Sequence, residues 1–293
     1  MRASRAVAAT LLAAILWGTS FSVNDAGLRF VPPGAFVFLR FALAGALVLG
    51  FAALTRRLDW RLARSPLLWG LAAVNALGFL LQYEGQTLTT PARTALFVNT
   101  SAFAVAILER FVLKQRLGPA RVAALVVGVA GAALLIVGED PLRTLTDVRV
   151  VGDLLTLASG LAWSVYFVMN DRAVAKHDPL SVTAWTFAMS AILLLPALLL
   201  EPRAPQWGWE GAGAVLYAGV VTTALAYGLW TYGLRGIRTS VSAVLLLVEI
   251  LVASLVSLAL GREAFGWIDL LGALMLVGAV VAISLVAARD AKG

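Results

Sequence analysis

The sequence predicts an all-α polytopic membrane protein whose ten transmembrane helices form two inverted five-helix repeats around a central cavity. The first supporting observation is composition, since the 293 residues are 61% hydrophobic and only 13% charged, against about 25% charged in a typical soluble domain. The second is that long apolar runs alternate with short charged segments, and the third is a motif shared by the two halves. A soluble bundle of buried helices is disfavoured, because such runs are typical of transmembrane segments.

The apolar runs have the length that a membrane-spanning helix needs. A helix rises 1.5 Å per residue, so about 20 apolar residues cross a hydrocarbon core about 30 Å thick. Ten runs of roughly this length occur in the chain. The predicted spans are residues 6–25, 34–54, 66–86, 94–113, 121–137, 152–171, 180–200, 211–233, 240–260 and 266–287.

The distribution of Lys and Arg predicts the orientation, because cytoplasmic loops carry an excess of positive charge. With the N-terminus in the cytoplasm, sixteen of the 23 Lys and Arg residues fall in segments on that side. We therefore expect both termini to be cytoplasmic, which an even number of spans requires. The segments on the opposite side hold only Arg29, Arg93, Arg143, Arg149, Arg203 and Arg262.

The two halves share an ordered motif, LWGTSFSVND at 16–25 and AWSVYFVMND at 162–171. Each half has five spans, an odd number, so the second copy must insert in the opposite direction. We divide the chain into a first repeat, 1–140, and a second repeat, 141–293. Inverted repeats of this kind are typical of secondary transporters with a site at the repeat interface. The shared positions are Trp17 and Trp163, Phe21 and Phe167, Asn24 and Asn170, Asp25 and Asp171, and, with small gaps, Gly85 and Gly233, Ala95 and Ala243, and Gly131 and Gly278.

The composition argues against several other functions. The chain has no cysteine, and its single histidine, His177, cannot form a metal site alone, so we expect no metal and no cofactor. The net charge of +7 is better explained by membrane topology than by a nucleic-acid partner. A membrane-embedded enzyme is the distant alternative, since the sequence has no clustered catalytic acids or histidines and no phosphate-binding glycine loop. A receptor or scaffold is disfavoured because the connections between spans are short.

Several segments together resemble the drug/metabolite transporter superfamily, and the EamA-type ten-helix exporters in particular. They are LWGTSF in the first span, LAWSVYF in the sixth, and the glycine-rich GVAGAALLIV and GALMLVGAVVAI that close each half. Within that superfamily the sequence is most similar to the YddG-type aromatic amino-acid exporters. The resemblance implies a carrier in the bacterial inner membrane that exports small metabolites, such as amino acids, by alternating access. A broad-specificity drug exporter, with or without proton coupling, stays open as an alternative.

Three ionisable residues fall inside predicted spans, where a charge costs about 2.5–3.5 kcal/mol on insertion scales and normally faces a cavity or a partner. Glu249 lies in the middle of the ninth span and is a candidate for substrate binding, with structural hydrogen bonding as the alternative. Arg40 and Glu84 are candidates for gating or coupling. For Arg40 the alternative is snorkelling or pairing within the bundle, and for Glu84 it is a position at the membrane interface.

The other candidate substrate-binding residues are mainly aromatic. Trp17 and Trp163 lie well inside their spans, whereas interfacial tryptophans such as Trp267 are expected at the headgroup level. Packing against lipid or neighbouring helices is the alternative role for each ring. Aromatic rings suit apolar or aromatic solutes, so we expect a small-molecule substrate in addition to the surrounding lipid bilayer. The remaining candidates are Tyr83, Asn99, Tyr166, Tyr227 and Trp230.

Overall fold

The structure is a computed structural model that describes residues 3–101, 104, 119–137, 147–234, 236, 245–262 and 266–290. No strand occurs in these parts of the chain, in agreement with the predicted all-α fold. We number the membrane helices α1 to α10, treating three consecutive stretches as α8. They are α1 (Ala3–Leu28), α2 (Pro33–Leu54), α3 (Pro66–Gln86), α4 (Pro91–Val98), α5 (Pro119–Val137), α6 (Val148–Val174), α7 (Pro179–Leu199), α8 (Trp209–Leu216, Tyr217–Leu225 and Ala226–Leu234), α9 (Val248–Ala259) and α10 (Trp267–Asp290).

Proline sets the beginning of half of these helices. Its fixed φ suits the first helical turn, where its missing N–H would have no helical partner anyway. For this reason four helices begin one to three residues before the limits that hydropathy predicted, and only α3 begins at its predicted residue. The helices that begin at a proline are α2, α3, α4, α5 and α7.

Other boundaries differ from the prediction because helices continue past the apolar run. Helix α1 extends to Leu28, and α6 runs from Val148 to Val174, three or four residues beyond the predicted limits at each end. Polar residues there remain helical because backbone hydrogen bonding does not end where hydrophobicity does. The second part of the fourth predicted span and the first part of the ninth lie outside the described residues.

The distribution of side chains is that of a protein surrounded by lipid. Large apolar residues are exposed on the outer surface, including Leu54, Val129 and Leu199 at 86%, 67% and 72% exposure. Polar residues such as Asn24 and Asn75 are instead fully buried. A soluble monomer rarely exposes apolar patches on this scale. Among the described helices, six are long and apolar enough to cross a membrane, consistent with a polytopic membrane protein.

The helix packing obeys the two-fold relation that an inverted repeat requires, in which α1 corresponds to α6, α2 to α7, and so on. Helix α3 packs against α6, and its counterpart α8 packs against α1. Helix α4 contacts α6, and α9 correspondingly contacts α1. The pairs α2 with α7 and α5 with α10 are their own counterparts, and both are extensive. The two repeats therefore interlock, because each helix packs mainly against the other repeat.

Two of the glycines matched by the sequence repeat occupy equivalent close contacts. A Cβ on Gly85 of α3 would lie 2.8 Å from the carbonyl oxygen of Gly152 in α6. A Cβ on Gly233 of α8 would lie 3.1 Å from the carbonyl oxygen of Ala6 in α1. Ala6 and Gly152 are related by the same 146-residue displacement as Trp17 and Trp163. Small residues let membrane helices approach closely, and here they do so at corresponding crossings in both repeats.

Ion pairs join helices at the end of the bundle where α1 ends, which we call the distal end. Arg93 of α4 pairs with Asp153 of α6 at 2.5 Å and with Asp269 of α10 at 3.1 Å. Asp153 is fully buried and also accepts a hydrogen bond from Thr89. Arg262, after α9, pairs with Asp25 of α1 at 2.6 Å. All three of these pairs link the two repeats at their distal ends.

At the opposite, proximal end the α2–α3 connection is attached to the beginning of α7. Arg57 donates to the Asp178 carboxylate at 2.5 Å, and Asp178 also caps α7 by accepting from the backbone N–H groups of Leu180 and Ser181. Burial acts to raise the pKa of Asp178, but the hydrogen bonds from Arg57 and the backbone outweigh it and hold that pKa below its ordinary value. Asp178 is therefore ionised at neutral pH, and the contact is a charged one.

Replacing Gly85 by Ala should destabilise the protein by about 1–3 kcal/mol, because the added methyl group overlaps the α6 backbone. Gly50→Ala is the matched control, since a Cβ at Gly50 meets nothing within 4 Å. Thermal unfolding of both variants in the same detergent measures the difference. A Gly85→Ala variant as stable as Gly50→Ala would contradict the close packing of α3 on α6.

Replacing Arg93 by Gln should lower the free energy of unfolding by about 3–5 kcal/mol, because it leaves the buried Asp153 carboxylate without its cation. Arg29→Gln is the control, since Arg29 lies 3.5 Å from Asp25 with a side chain that is 65% exposed. That exposed contact should contribute at most about 1 kcal/mol. Denaturation in detergent with increasing SDS measures the free energy of unfolding of the two variants. If both lose a similar amount, burial of the Arg93–Asp153 pair contributes little to stability.

Candidate functional site

Six aromatic side chains form a continuous chain of ring contacts across the interface between the repeats. Successive centroids are 4.7, 4.8, 5.5, 5.1 and 5.0 Å apart, and the rings meet edge-to-face or tilted. These separations fall in the range of favourable aromatic pairs. In order, the rings belong to Trp163, Phe79, Phe41, Phe187, Tyr227 and Trp17. We call this set the ring chain.

The ring chain has the symmetry of the repeat. A displacement of 146 residues relates Trp17 to Trp163 and Phe41 to Phe187, and a displacement of 148 relates Phe79 to Tyr227. The central pair, Phe41 and Phe187, therefore consists of equivalent residues in contact with each other. Such a contact occurs only where the pseudo-two-fold axis passes, so the chain is centred on that axis.

Arg40 lies beside the centre of the ring chain and is only 2% exposed. Its Nε donates to Thr223 Oγ1 at 2.6 Å, and its Nη1 donates to the Tyr83 hydroxyl at 2.5 Å. Its guanidinium carbon lies 4.3 Å from the centroid of Phe79, a cation–π contact. No carboxylate of the described residues forms an ion pair with it within 4.0 Å. The equivalent residue is the uncharged Thr186, so only one repeat brings a charge to the axis.

Helix α8 changes to π-helical geometry beside Arg40 and Trp17. Residues Tyr217–Leu225 form the π-helical stretch, and Thr223 Oγ1 donates to the carbonyl oxygen of Ala218 at 2.7 Å, five residues earlier. The carbonyl oxygen of Thr222, in the same stretch, accepts a 2.7 Å hydrogen bond from Trp17 Nε1. π-helical turns are rare and frequently occur at functional sites. Here the stretch supplies acceptors to both Arg40 and Trp17.

The symmetry-related arrangement, formed by α3 with Trp163 and Thr186, is incomplete. Helix α3 is α-helical throughout Pro66–Gln86, and Trp163 Nε1 has no hydrogen-bond partner among the described residues, although only 7% of the residue is exposed. Asn75 Oδ1 and Thr186 Oγ1, both on fully buried residues, are also without partners. A buried polar group without a partner costs about 1–3 kcal/mol. Such groups in a native fold often mark a place where something else binds.

The structure brings together Arg40 and all of the predicted aromatic residues. Tyr83 lies between Arg40 and Phe36, and its hydroxyl accepts from Arg40. Tyr166 packs 5.2 Å from Trp163, and Trp230 lies 6.1 Å from both Trp17 and Tyr227.

The other three predicted residues lie at the edge of this group or away from it. Glu249 is half-buried in the first turn of α9 and close enough to Tyr227 to interact with it electrostatically. The Asn99 side chain, at the end of α4, donates to its own helix at the carbonyl oxygen of Ala95. Glu84 is exposed in the last turn of α3. Trp267 is 70% exposed at the beginning of α10, as expected of an interfacial tryptophan.

Sequence reasoning missed the middle of the ring chain and its polar neighbours. Phe41, Phe79 and Phe187 were not among the candidates, and neither were Thr222 and Thr223. Phenylalanine is common in apolar spans, so these residues carry no individual signal. The displacement that matches Trp17 with Trp163 also matches Phe41 with Phe187, and extending that alignment identifies the rings on the axis.

The arrangement combines apolar ring faces with one buried cation and several unused hydrogen-bonding atoms. Groups of acidic, histidine or cysteine side chains suited to a metal ion are absent from the described residues. The arrangement is therefore a candidate site for a small solute, which would be held by ring contacts and hydrogen bonds where two repeats of opposite orientation meet.

Comparison with curated protein sequences gives relatives across most of the chain. The "Uncharacterized transporter YwfM" of Bacillus subtilis (strain 168) is 31% identical over 285 residues, covering 92% of this chain and 91% of that protein. The "Aromatic amino acid exporter YddG" of Ancylobacter novellus is 27% identical, covering 80% and 81%. The "Threonine/homoserine exporter RhtA" of Escherichia coli (strain K12) is 26% identical, covering 84% and 79%.

The fold and the family agree with these relatives. A solved crystal structure superposes with a TM-score of 0.68 at 24% identity and covers 97% of this chain and 98% of its own. The sequence matches the EamA-like transporter family twice, over residues 4–137 and 150–285. The two matches correspond to the two inverted repeats, and the family is one of transporters rather than enzymes. The chain therefore belongs to the EamA-like transporter family.

Proposed function

We propose that this transporter exports small metabolites, namely aromatic or other neutral amino acids, across the bacterial inner membrane by alternating access. The observation that carries the proposal is the ring chain on the pseudo-two-fold axis. A site at the interface of inverted repeats can open to either side when one repeat rocks against the other. The relatives named as exporters of aromatic amino acids and of threonine and homoserine support a solute of this size and class.

In this proposal the aromatic residues form the substrate contacts. Trp17, Trp163, Tyr166, Tyr227 and Trp230 offer ring faces and edges to an apolar or aromatic side chain, as rings do in small-molecule sites. The Tyr83 hydroxyl adds a polar contact beside them.

Four polar or charged residues complete the proposed site. Asn99 and Glu249 provide polar contacts at its edge, and Arg40 acts at its centre. Glu84, exposed at the distal end of α3, is assigned to gating or coupling rather than to binding.

A broad-specificity drug exporter is the second candidate, because ring faces also accept apolar drugs. The buried Arg40, which has no ion-pair partner among the described carboxylates, argues against the many drugs that are lipophilic cations. A like charge at such a site is repelled and poorly screened. The amino-acid proposal therefore accounts for both the ring faces and the buried charge of Arg40, whereas the drug proposal accounts for the ring faces alone.

Reconstituted vesicles loaded with radiolabelled phenylalanine should release it down its gradient, and empty vesicles should not. Trp163→Ala should reduce the rate at least about fivefold, the effect of losing about 1 kcal/mol of ring contact. Trp267→Ala, which removes an exposed tryptophan, is the matched control and should leave the rate unchanged. Folded protein that moves no aromatic or other neutral amino acid would refute the proposal, and equal effects of the two variants would refute the role of Trp163.

The proposed orientation places the proximal end, with both termini, in the cytoplasm. Single cysteines can test it, because the chain contains none. Thr55→Cys lies at the proximal end and Arg203→Cys at the distal end, both at exposed positions. In intact cells a membrane-impermeant maleimide should label Arg203→Cys alone, and both should react after the membrane is dissolved. Labelling of Thr55→Cys in intact cells would reverse the orientation.

A further inference from the structure

Two nitrogen donors on buried residues lie against the ring of Phe79 and form no hydrogen bond with the described residues. Trp163 Nε1 is without a hydrogen-bond partner, and the Trp163 ring is 4.7 Å from Phe79, centroid to centroid. The Arg40 guanidinium carbon is 4.3 Å from the Phe79 centroid. Two of its nitrogens have acceptors, whereas Nη2 has none among the described residues. Both donors lie in the interior of the bundle, where water is scarce.

No carboxylate among the described residues forms an ion pair with the guanidinium of Arg40. Its hydrogen-bond acceptors are the hydroxyl oxygens of Thr223 and Tyr83, which are neutral. The carboxylates of Asp25 and Asp153 are paired with other arginines at the distal end. A guanidinium cannot be deprotonated in a protein, and an ionised group inside a membrane protein normally pairs or faces a solute pathway. The chemistry missing from the site is an anion.

The ligand group that meets these conditions is a carboxylate. It accepts hydrogen bonds only, has two oxygens, and forms short charge-assisted bonds with arginine. We infer that the carboxylate of the solute binds between Arg40 Nη2 and Trp163 Nε1, beside the ring of Phe79. The identity of the solute as an amino acid, and so of the anion as a carboxylate, rests on the proposed function, whereas the requirement for an anion follows from the donors.

The pseudo-symmetry explains why this subsite occurs once. The residue equivalent to Arg40 is Thr186, which carries no charge. The residue equivalent to Trp163 is Trp17, whose N–H is already bound to the carbonyl oxygen of Thr222. The symmetry-related position, between Thr186 and Trp17, therefore offers neither a cation nor a free indole donor. A solute bound on the axis has its carboxylate on one side and its remaining groups along the rings towards Trp17.

Ligand binding by the purified full-length protein in lipid nanodiscs tests this inference. Titration calorimetry with phenylalanine, 3-phenylpropionate and 3-phenylpropionamide compares ligands with and without the carboxylate. The two carboxylates should bind at least about tenfold more tightly than the amide, since a hydrogen bond to a charged group contributes that much. Arg40→Gln should remove this preference, and Arg40→Lys should restore part of it.

Trp163→Phe provides a second test that retains the ring and removes only the donor. It should reduce the preference for the carboxylate severalfold. Trp185→Phe is the control, because the Trp185 indole donates to Asp59 in the α2–α3 connection, away from the ring chain. Trp163→Phe and its control Trp185→Phe test the subsite even if Arg40→Gln folds poorly.

The inference is overturned if the wild-type protein binds the acid and the amide equally or binds none of the three compounds. It is also overturned if both Arg40→Gln and Trp163→Phe keep the full preference. An Arg40-dependent preference in a protein that moves no amino acid in vesicles would support the subsite and refute the proposed function. Transport of phenylalanine by a protein that shows no preference for the carboxylate would support the proposed function and refute the subsite.

Discussion

The crossing of α2 and α7 on the pseudo-two-fold axis determines the rest of the arrangement. Phe41 and Phe187, equivalent residues of the two repeats, are in contact there at 5.5 Å. Close to this contact, a Cβ on Gly45 would lie 3.0 Å from the backbone nitrogen of Ala188, so the two helices touch nearly backbone to backbone. Because the axis is fixed at this point, the aromatic side chains that flank each phenylalanine extend symmetrically into both repeats.

The functional character of the site comes from departures from that symmetry. Symmetry alone would give two equal halves of a ring chain, with no direction and no charge. Arg40 opposite Thr186 adds a charge on one side, and the π-helical stretch of α8 supplies an acceptor for Trp17 that α3 does not supply for Trp163. A stable bundle does not need these differences, and each of them leaves a polar group in an unfavourable state. This is the pattern expected where stability has been given up for binding.

Hydropathy predicted the number of spans and their sequence positions because the membrane imposes a length on each apolar run. It could not locate helix ends, since α1 and α6 continue through polar residues by backbone hydrogen bonding alone. Interior rings were predicted only where a tryptophan or tyrosine lies unusually deep in a span, which is why Trp163 was found and Phe79 was not. The π-helical stretch was not predictable from Tyr217–Leu225, because small and β-branched residues are equally compatible with an α-helix. Arg40 was recognised as unusual because it is a charge inside a span. Whether it had an ionic partner could not be predicted, because that depends on how α2, α3 and α8 pack together.

In the proposed mechanism, Arg40 also couples binding to helix position. It belongs to α2, its Nη1 is bound to Tyr83 of α3, and its Nε is bound to Thr223 of α8, so its guanidinium joins the two repeats. A solute can shift the equilibrium between two states only through contacts that differ between them. A group that bridges both repeats is a contact of this kind, because rocking one repeat against the other moves Thr223 relative to Tyr83. An anion bound to Nη2 would compensate the positive charge of the Arg40 guanidinium. The guanidinium would then depend less on its hydrogen bonds to the Thr223 and Tyr83 hydroxyls. Binding at this position is thereby linked to the motion that alternating access requires.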